Sequence, residues 1–130
     1  MTETPPFRTV VLDRERIAHF AEAMHDPNPM HRDPDFCRSV GLPGPIAPGG
    51  MVVVAACHAA VRVHGIESVR EVDLSMRAPV HVGDVLECRL TRTGEQPHDG
   101  SIALEVVVIA DGDRFCAEGT IVVDPKGACA

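Results

Sequence analysis

Met51-Val52-Val53-Val54-Ala55-Ala56-Cys57-His58-Ala59-Ala60-Val61-Arg62-Val63-His64 is the stretch on which the fold turns. A helix drawn through it is apolar on nearly every side, and a helix hydrophobic all round belongs inside a protein. Val is a mediocre helix former, so a strand competes for the segment. Its length and Ala content favour helix, and Gly65 supplies a stop. Broken by His58 and Arg62, the run from Met51 to Val63 is also too short to span a bilayer.

Downstream of this helix the apolar period changes from helical to two. Val72, Leu74 and Met76 alternate with Glu71, Asp73, Ser75 and Arg77, as in a half-buried strand. Leu86, Cys88 and Leu90 alternate with Glu87 and Arg89 in a second. Ile102 to Ala110 is apolar on both faces apart from Glu105, as a central strand is. Phe115, Ala117, Gly119, Ile121 and Val123 are expected to share one face of a last strand. Turns at Pro97-His98-Asp99-Gly100 and at Asp111-Gly112 make the last three strands an antiparallel meander.

Upstream lies a helical, proline-rich half. Phe7 to Leu12 is β-prone. Asp13 offers an N-cap for a helix through Met24, with Arg16 where a capping box wants Glu or Gln. Ile17, Phe20, Ala21 and Met24 mark its buried face. Two prolines between His25 and His31 prevent its continuing. Asp33 caps a short second helix, with Pro34 in its first position, ending near Gly41. No repeat and no linker divides the chain, so the expectation is a single domain over 1–130. Its class is α+β, a curved antiparallel sheet with one long buried helix.

The bulk composition limits the function classes. The chain of 130 residues carries a net charge of -7, with 24% charged and 45% hydrophobic residues. It has no dense Lys/Arg cluster and few aromatics, which argues against a nucleic-acid partner. The acid- and proline-bearing start, Met1 to Phe7, does not read as a signal peptide. Cys37, Cys57, Cys88, Cys116 and Cys129 are odd in number and scattered, without a C-x-x-C pair. They read as small core residues in a reducing compartment, which implies a cytoplasmic location.

The segment His25-Asp26-Pro27-Asn28-Pro29-Met30-His31 carries the candidate chemistry. It sets a carboxylate and an imidazole five residues apart on a loop stiffened by two prolines, which can hold both side chains at low entropic cost. Asn28 can hydrogen-bond nearby backbone and lock the turn. The same residues serve equally well as a turn that ends a helix. A second feature is Gly41-Leu42-Pro43-Gly44-Pro45-Ile46-Ala47-Pro48-Gly49-Gly50-Met51. Glycines before a buried helix let the backbone approach a ligand and present free amides, which suits a negatively charged oxygen. By itself that loop is an ordinary helix entry.

Together the two features resemble the MaoC-like dehydratases, or (R)-specific enoyl-CoA hydratases. Asp26-Pro27-Asn28-Pro29-Met30-His31 is similar to their D-x-N-P-x-H signature. The similarity runs on through Asp33, Gly41, Pro45-Ile46-Ala47, Arg77-Ala78-Pro79-Val80 and Gly83-Asp84, and so covers most of the chain. The resemblance implies a hotdog fold, a homodimeric working unit, an acyl-thioester substrate carried on CoA or acyl carrier protein, and no metal or other cofactor. It implies that Asp26 and His31 are the catalytic pair and that Asn28 supports their loop. An amide near Gly49 or Gly50, at the Gly-Met51 entry to the helix, would hold the thioester oxygen. It also implies (3R) stereochemistry.

Three departures stand out. Relatives usually read A-H-G-M where this chain has Ala47-Pro48-Gly49-Gly50-Met51. Many carry a small polar residue where Ala55 stands, and the usual Ser-Gly before the aspartate is Met24-His25. His58 reads as a core or interface histidine, Cys57 as buried, and Arg62, Arg70 and Arg77 as candidate phosphate contacts or plain surface charge. A hotdog thioesterase and a non-catalytic acyl-binding or partner subunit are the competing functions.

Overall fold

The computed structural model describes residues 5–93 and 100–124. Its elements are β1 (Phe7–Arg8), α1 (Arg14–Ala23), a 3-10 turn at Pro29–His31, α2 (Pro34–Ser39), α3 (Gly49–His64), β2 (Val69–Met76), β3 (Leu86–Arg92), β4 (Ile102–Ala110) and β5 (Arg114–Val123). The strands form one antiparallel sheet in the order β1-β3-β4-β5-β2, so β4 is central and β3-β4-β5 is a meander. Asp111 and Gly112 both take positive φ, 52° and 85°, in the β4–β5 turn, as an Asp-Gly hairpin requires. Pro97, His98 and Asp99, expected in the other turn, lie outside the described residues, as does Cys129.

Helix α3 packs Val52, Ala55, Ala56, Ala59 and Ala60 onto the inner face of the sheet. Leu86 and Leu90 of β3, Val106 and Val108 of β4, and Ile121 and Val123 of β5 meet it there. Alanines on the contact face let the helix sit close to the curved sheet, while Val and Ile on the strands suit pleated geometry. Two expectations about α3 need correction. It starts at Gly49, with Pro48 as N-cap, not at Met51. It is also not covered on all sides, because Val54 and Val63 are 54% and 50% exposed in the single chain. Its apolar surplus faces outward and is uncovered by any described residue of this chain.

Other expectations are refined by local geometry. Asp13 accepts from Arg16 N at 2.8 Å and from the Arg16 side chain, so the cap forms without the box glutamate. Met24 caps the C-terminal end of α1 and is exposed, leaving Ile17 and Ala21 as the fully buried residues of that helix. Of the β-prone Phe7 to Leu12 only Phe7–Arg8 enters the sheet, beside Cys88 and Glu87. In β5 the register shifts: Ala117 pairs with Val108 but Phe115 with Ile109. Cys116 is thus the extra residue of a β-bulge, which turns Phe115 to the outer face and buries Cys116 in place of Phe115.

Candidate active site

The end of α1 fixes the position of Asp26. His25 N–H donates to Glu22 O at 3.0 Å and Asp26 N–H to Ala21 O at 2.8 Å. These two bonds form a Schellman cap with His25 in its left-handed position, at φ 54°. The chain leaves the helix there and turns at once. Asp26 Oδ1 accepts Asn28 N–H at 3.1 Å, and Asn28 Oδ1 accepts Met30 N–H at 3.0 Å. Two successive Asx turns, each next to a proline, therefore carry the backbone from Asp26 to His31.

Asp26 Oδ2 lies 3.1 Å from His31 Nε2. The His31 side chain is 8% exposed and that of Asp26 35%, so a buried imidazole meets a carboxylate open to solvent. On the far side of the ring, Nδ1 lies 2.8 Å from Ile46 O. A carbonyl oxygen only accepts, so Nδ1 carries a hydrogen, and the ring addresses Asp26 through Nε2. Asp26 Oδ1 is committed to the turn, which leaves Oδ2 for chemistry.

Segment Pro45–Ala47 is laced on both sides. Ile46 N–H donates to Met30 O at 2.9 Å, Ala47 N–H to Val80 O at 2.8 Å, and Val82 N–H to Pro45 O at 3.3 Å. Ile46 and His81 face each other as an antiparallel bridge. The acceptor that orients His31 is thus a main-chain group held by its neighbours.

A cleft of about 350 Å³ opens beside this pair, lined by His31, Ile46, Gly49 and Val52 and, across it, by Met76 to Val80. Gly49 and Gly50 are the first two residues of α3, whose N-cap Pro48 offers no side-chain acceptor, so their N–H groups lack a capping partner. The amide of Met51 is committed to Pro48 O at 3.0 Å.

The sequence-derived residues therefore divide. Asp26 and His31 come together; His31 and Gly49 line the cleft, and Asp26 is not among its lining residues. Asn28 is exposed and acts on the backbone; Gly50 and Met51 do not line the cleft, and the Met51 side chain packs against the core. His58, expected in the core or an interface, is not in the core: it is exposed in the single chain and stacked on Phe7, with ring centroids 4.7 Å apart. Cys57 is only partly buried. Of the three arginines, Arg77 alone borders the cleft and pairs with Glu118 at 2.9 Å. Arg62 lies over Phe7, and Arg70 faces Asp124. Sequence reasoning missed Ile46, whose role is a carbonyl that any residue could provide. Among the described residues no group of three or more His, Cys, Asp or Glu is arranged to hold a metal ion, and no helix is long and apolar enough to cross a membrane.

Comparison with known proteins agrees with this architecture. The profile of the MaoC like domain matches residues 2–113. The UPF0336 protein of Streptomyces avermitilis is 33% identical over 128 residues, covering 92% of this chain and 83% of that protein. The UPF0336 protein of Saccharopolyspora erythraea is 29% identical over 143 residues, covering 96% and 92%. Among solved structures, the (R)-hydratase from A. caviae involved in PHA biosynthesis superimposes with a TM-score of 0.82 at 23% identity, covering 95% of this chain and 96% of that one. A chain of the ChsH1-ChsH2 complex from Mycobacterium tuberculosis does so at 0.84 and 17% identity, covering 95% and 94%. At these identities the structural likeness speaks for the fold, and the profile speaks for the family. The chain is a hotdog protein and belongs to the MaoC-like domain family.

Proposed function

We propose that this chain is a lyase that interconverts trans-2-enoyl and (3R)-3-hydroxyacyl thioesters, carried on CoA or on acyl carrier protein. The observation that supports the reading best is the Asp26–His31 contact at 3.1 Å, with the imidazole anchored from behind by Ile46 O and itself lining a cleft. Adding water across C2=C3 needs three things at once: a base for water at C3, a proton for C2, and stabilisation of the enolate-like thioester oxygen. Asp26 Oδ2 and His31 Nε2 are a carboxylate and an imidazole that can grip one water molecule and pass its protons. Nδ1 is committed to Ile46, so all proton traffic on His31 runs through Nε2.

In the hydration direction the pair takes one proton from water as its oxygen bonds to C3. The C2=C3 electrons move toward the thioester carbonyl, and a proton held by the pair is delivered to C2. The reverse sequence removes the C2 proton and expels the 3-hydroxyl as water. The N–H of Gly49, at the positive end of α3 and on the cleft wall, suits the oxygen on which charge gathers. The (3R) stereochemistry and the acyl-thioester class rest on the family resemblance.

The proposed working unit is a homodimer. β2 is a sheet edge with one unpaired side, and the exposed Val54 and Val63 on α3 are apolar surface that a second copy would cover. Sedimentation at micromolar concentration is expected to give twice the chain mass.

The test of the activity is incubation with crotonyl-CoA, following the double bond and free thiol together. Loss of the double bond without thiol release supports the proposal. Thiol release makes the protein a thioesterase. Neither signal, on crotonyl-CoA or on crotonyl-acyl carrier protein, makes it a binding subunit.

A further inference from the structure

Asp84 stands outside the site, yet it is among the most buried charged residues described, with a side chain 5% exposed. Its Oδ2 accepts His81 N–H at 2.7 Å and also takes the guanidinium of Arg114, at the start of β5. One carboxylate oxygen thus joins the turn between β2 and β3 to the β4–β5 hairpin. The turn is further closed by Asp84 N–H to His81 O at 3.1 Å, and Gly83 sits in it at φ 94°. Burying an ion pair is costly, and an apolar pair of similar size commonly holds a junction as well or better. Here two further buried atoms, His81 Nδ1 and Arg114 Nε, have no partner among the described residues, which adds to that cost.

What the cluster delivers is placement. His81 faces Ile46 across the isolated bridge, and its neighbours Val80 and Val82 hold Ala47 and Pro45. Ile46 O receives His31 Nδ1–H. An unbroken path of bonds therefore runs from Arg114 through Asp84, the backbone of residues 80–82 and the carbonyl of Ile46 to the imidazole. We propose that Asp84, braced by Arg114, is a positioning residue that fixes the His31 ring and its Nδ1–H tautomer by holding the Ile46 carbonyl in place. The kinetic part of this inference rests on the hydratase reading; the geometric part does not.

The test is made on the full chain with two independent readouts. The first is the imidazole nitrogen and Nδ1–H resonances of His31 in 15N-labelled protein, which report the ring tautomer whether or not the protein turns over. The second is kcat and KM for crotonyl-CoA hydration. The wild type is expected to show a single Nδ1–H tautomer and a hydrogen-bonded, slowly exchanging proton. In Asp84→Ala that proton signal is lost and the nitrogen shifts move to a mixture of tautomers. kcat falls on the order of tenfold to a hundredfold while KM stays within about twofold, because alignment and not binding is lost. Asp84→Asn can place its one oxygen where Oδ2 now accepts both partners, so it is expected to restore the His31 signal.

An unchanged His31 signal in a folded Asp84→Ala protein overturns the inference. So does loss of the signal in Asp84→Asn to the same degree as in Asp84→Ala. Should Asp84→Ala fail to fold, Arg114→Ala decides by the same readouts: a weakened His31 signal sustains the inference and an unaltered one refutes it. A tautomer change in a protein that hydrates nothing even as wild type would leave the positioning intact and remove the hydratase reading instead.

Discussion

Replacing Gly119 by alanine probes how the sheet carries one wall of the cleft. Gly119 pairs with Leu74 across the β2–β5 ladder. A Cβ built there would stand 1.8 Å from the carbonyl oxygen of Asp73 and 2.9 Å from Leu74 Cα, whereas real Cβ atoms essentially never approach closer than 3.0 Å. The obstruction is backbone, so no side-chain rotation relieves it, and the two strands must part locally by roughly 1 Å. That distance breaks or weakens two or three ladder bonds, at about 1 kcal/mol each. It also loosens Val72 and Leu74 from the core, so the expected loss is about 3 kcal/mol or more. For a chain of this length that lowers Tm by on the order of 10 °C. β2 ends at Met76, which borders the cleft together with Arg77, so hydration activity is expected to fall as well. Urea melts of wild type and Gly119→Ala, fitted with a common slope, are the assay. A variant within about 0.5 kcal/mol of wild type refutes the claim that β2 and β5 touch here through bare backbone.

Three further outcomes are expected. His25→Gly should stabilise the protein by about 0.5–1 kcal/mol in urea melts, since the left-handed φ of 54° costs a side-chain-bearing residue more than glycine's extra unfolded freedom gives back; lower stability would contradict the cap. Glu87 is buried between Arg8 and Arg89, whose side-chain hydrogen bonds hold its carboxyl below the ordinary range. A depressed folded value means stabilisation that is present at neutral pH and fades as pH falls through that value, so the Tm advantage over Glu87→Gln should vanish in acid; an advantage that grew in acid would reverse the assignment. Burial, followed by the nearby Glu87 charge, pushes the Cys88 thiol up to about 12, so iodoacetamide at pH 8 should leave Cys88 unmodified until the protein is denatured, as peptide mapping would reveal.

The sequence carries most of the architecture because the relevant signals are local. Period two from Val69 onward, the Asp-Gly turn and the Asp13 and Asp33 caps all found their counterparts. The start of α3 was not legible, because glycine is a poor helix residue and nothing in Pro48-Gly49-Gly50 advertises a first turn. The bulge at Cys116 escaped for a different reason: alternation counts residues, and a bulge inserts one without changing the count. The expectation that α3 is covered on every side assumed that all apolar surface is buried by its own chain, which Val54 and Val63 contradict.

The candidate site was legible only in part. Prolines and an asparagine between Asp26 and His31 have recognisable turn chemistry, and the two side chains do meet. The groups that surround them are main-chain atoms, above all Ile46 O, and main-chain acceptors leave no signature in residue identity. Asp84 was visible as part of a turn, but its partner Arg114 stands thirty residues away and is brought to it only by the fold. At the α3 N-terminus the altered Pro48-Gly49-Gly50 loop places a proline at the N-cap, which supplies no side-chain oxygen to the first amides.

The most direct measurement follows crotonyl-CoA in heavy-oxygen water by mass spectrometry, with wild type, Asp26→Asn and His31→Ala side by side. Asp26→Asn keeps the oxygen that the Asn28 turn needs, so it can fold as wild type does while losing its ability to exchange a proton. The account predicts heavy oxygen at C3 of the wild-type product and a loss on the order of a hundredfold or more in each folded variant. Wild-type rates in either variant would contradict it.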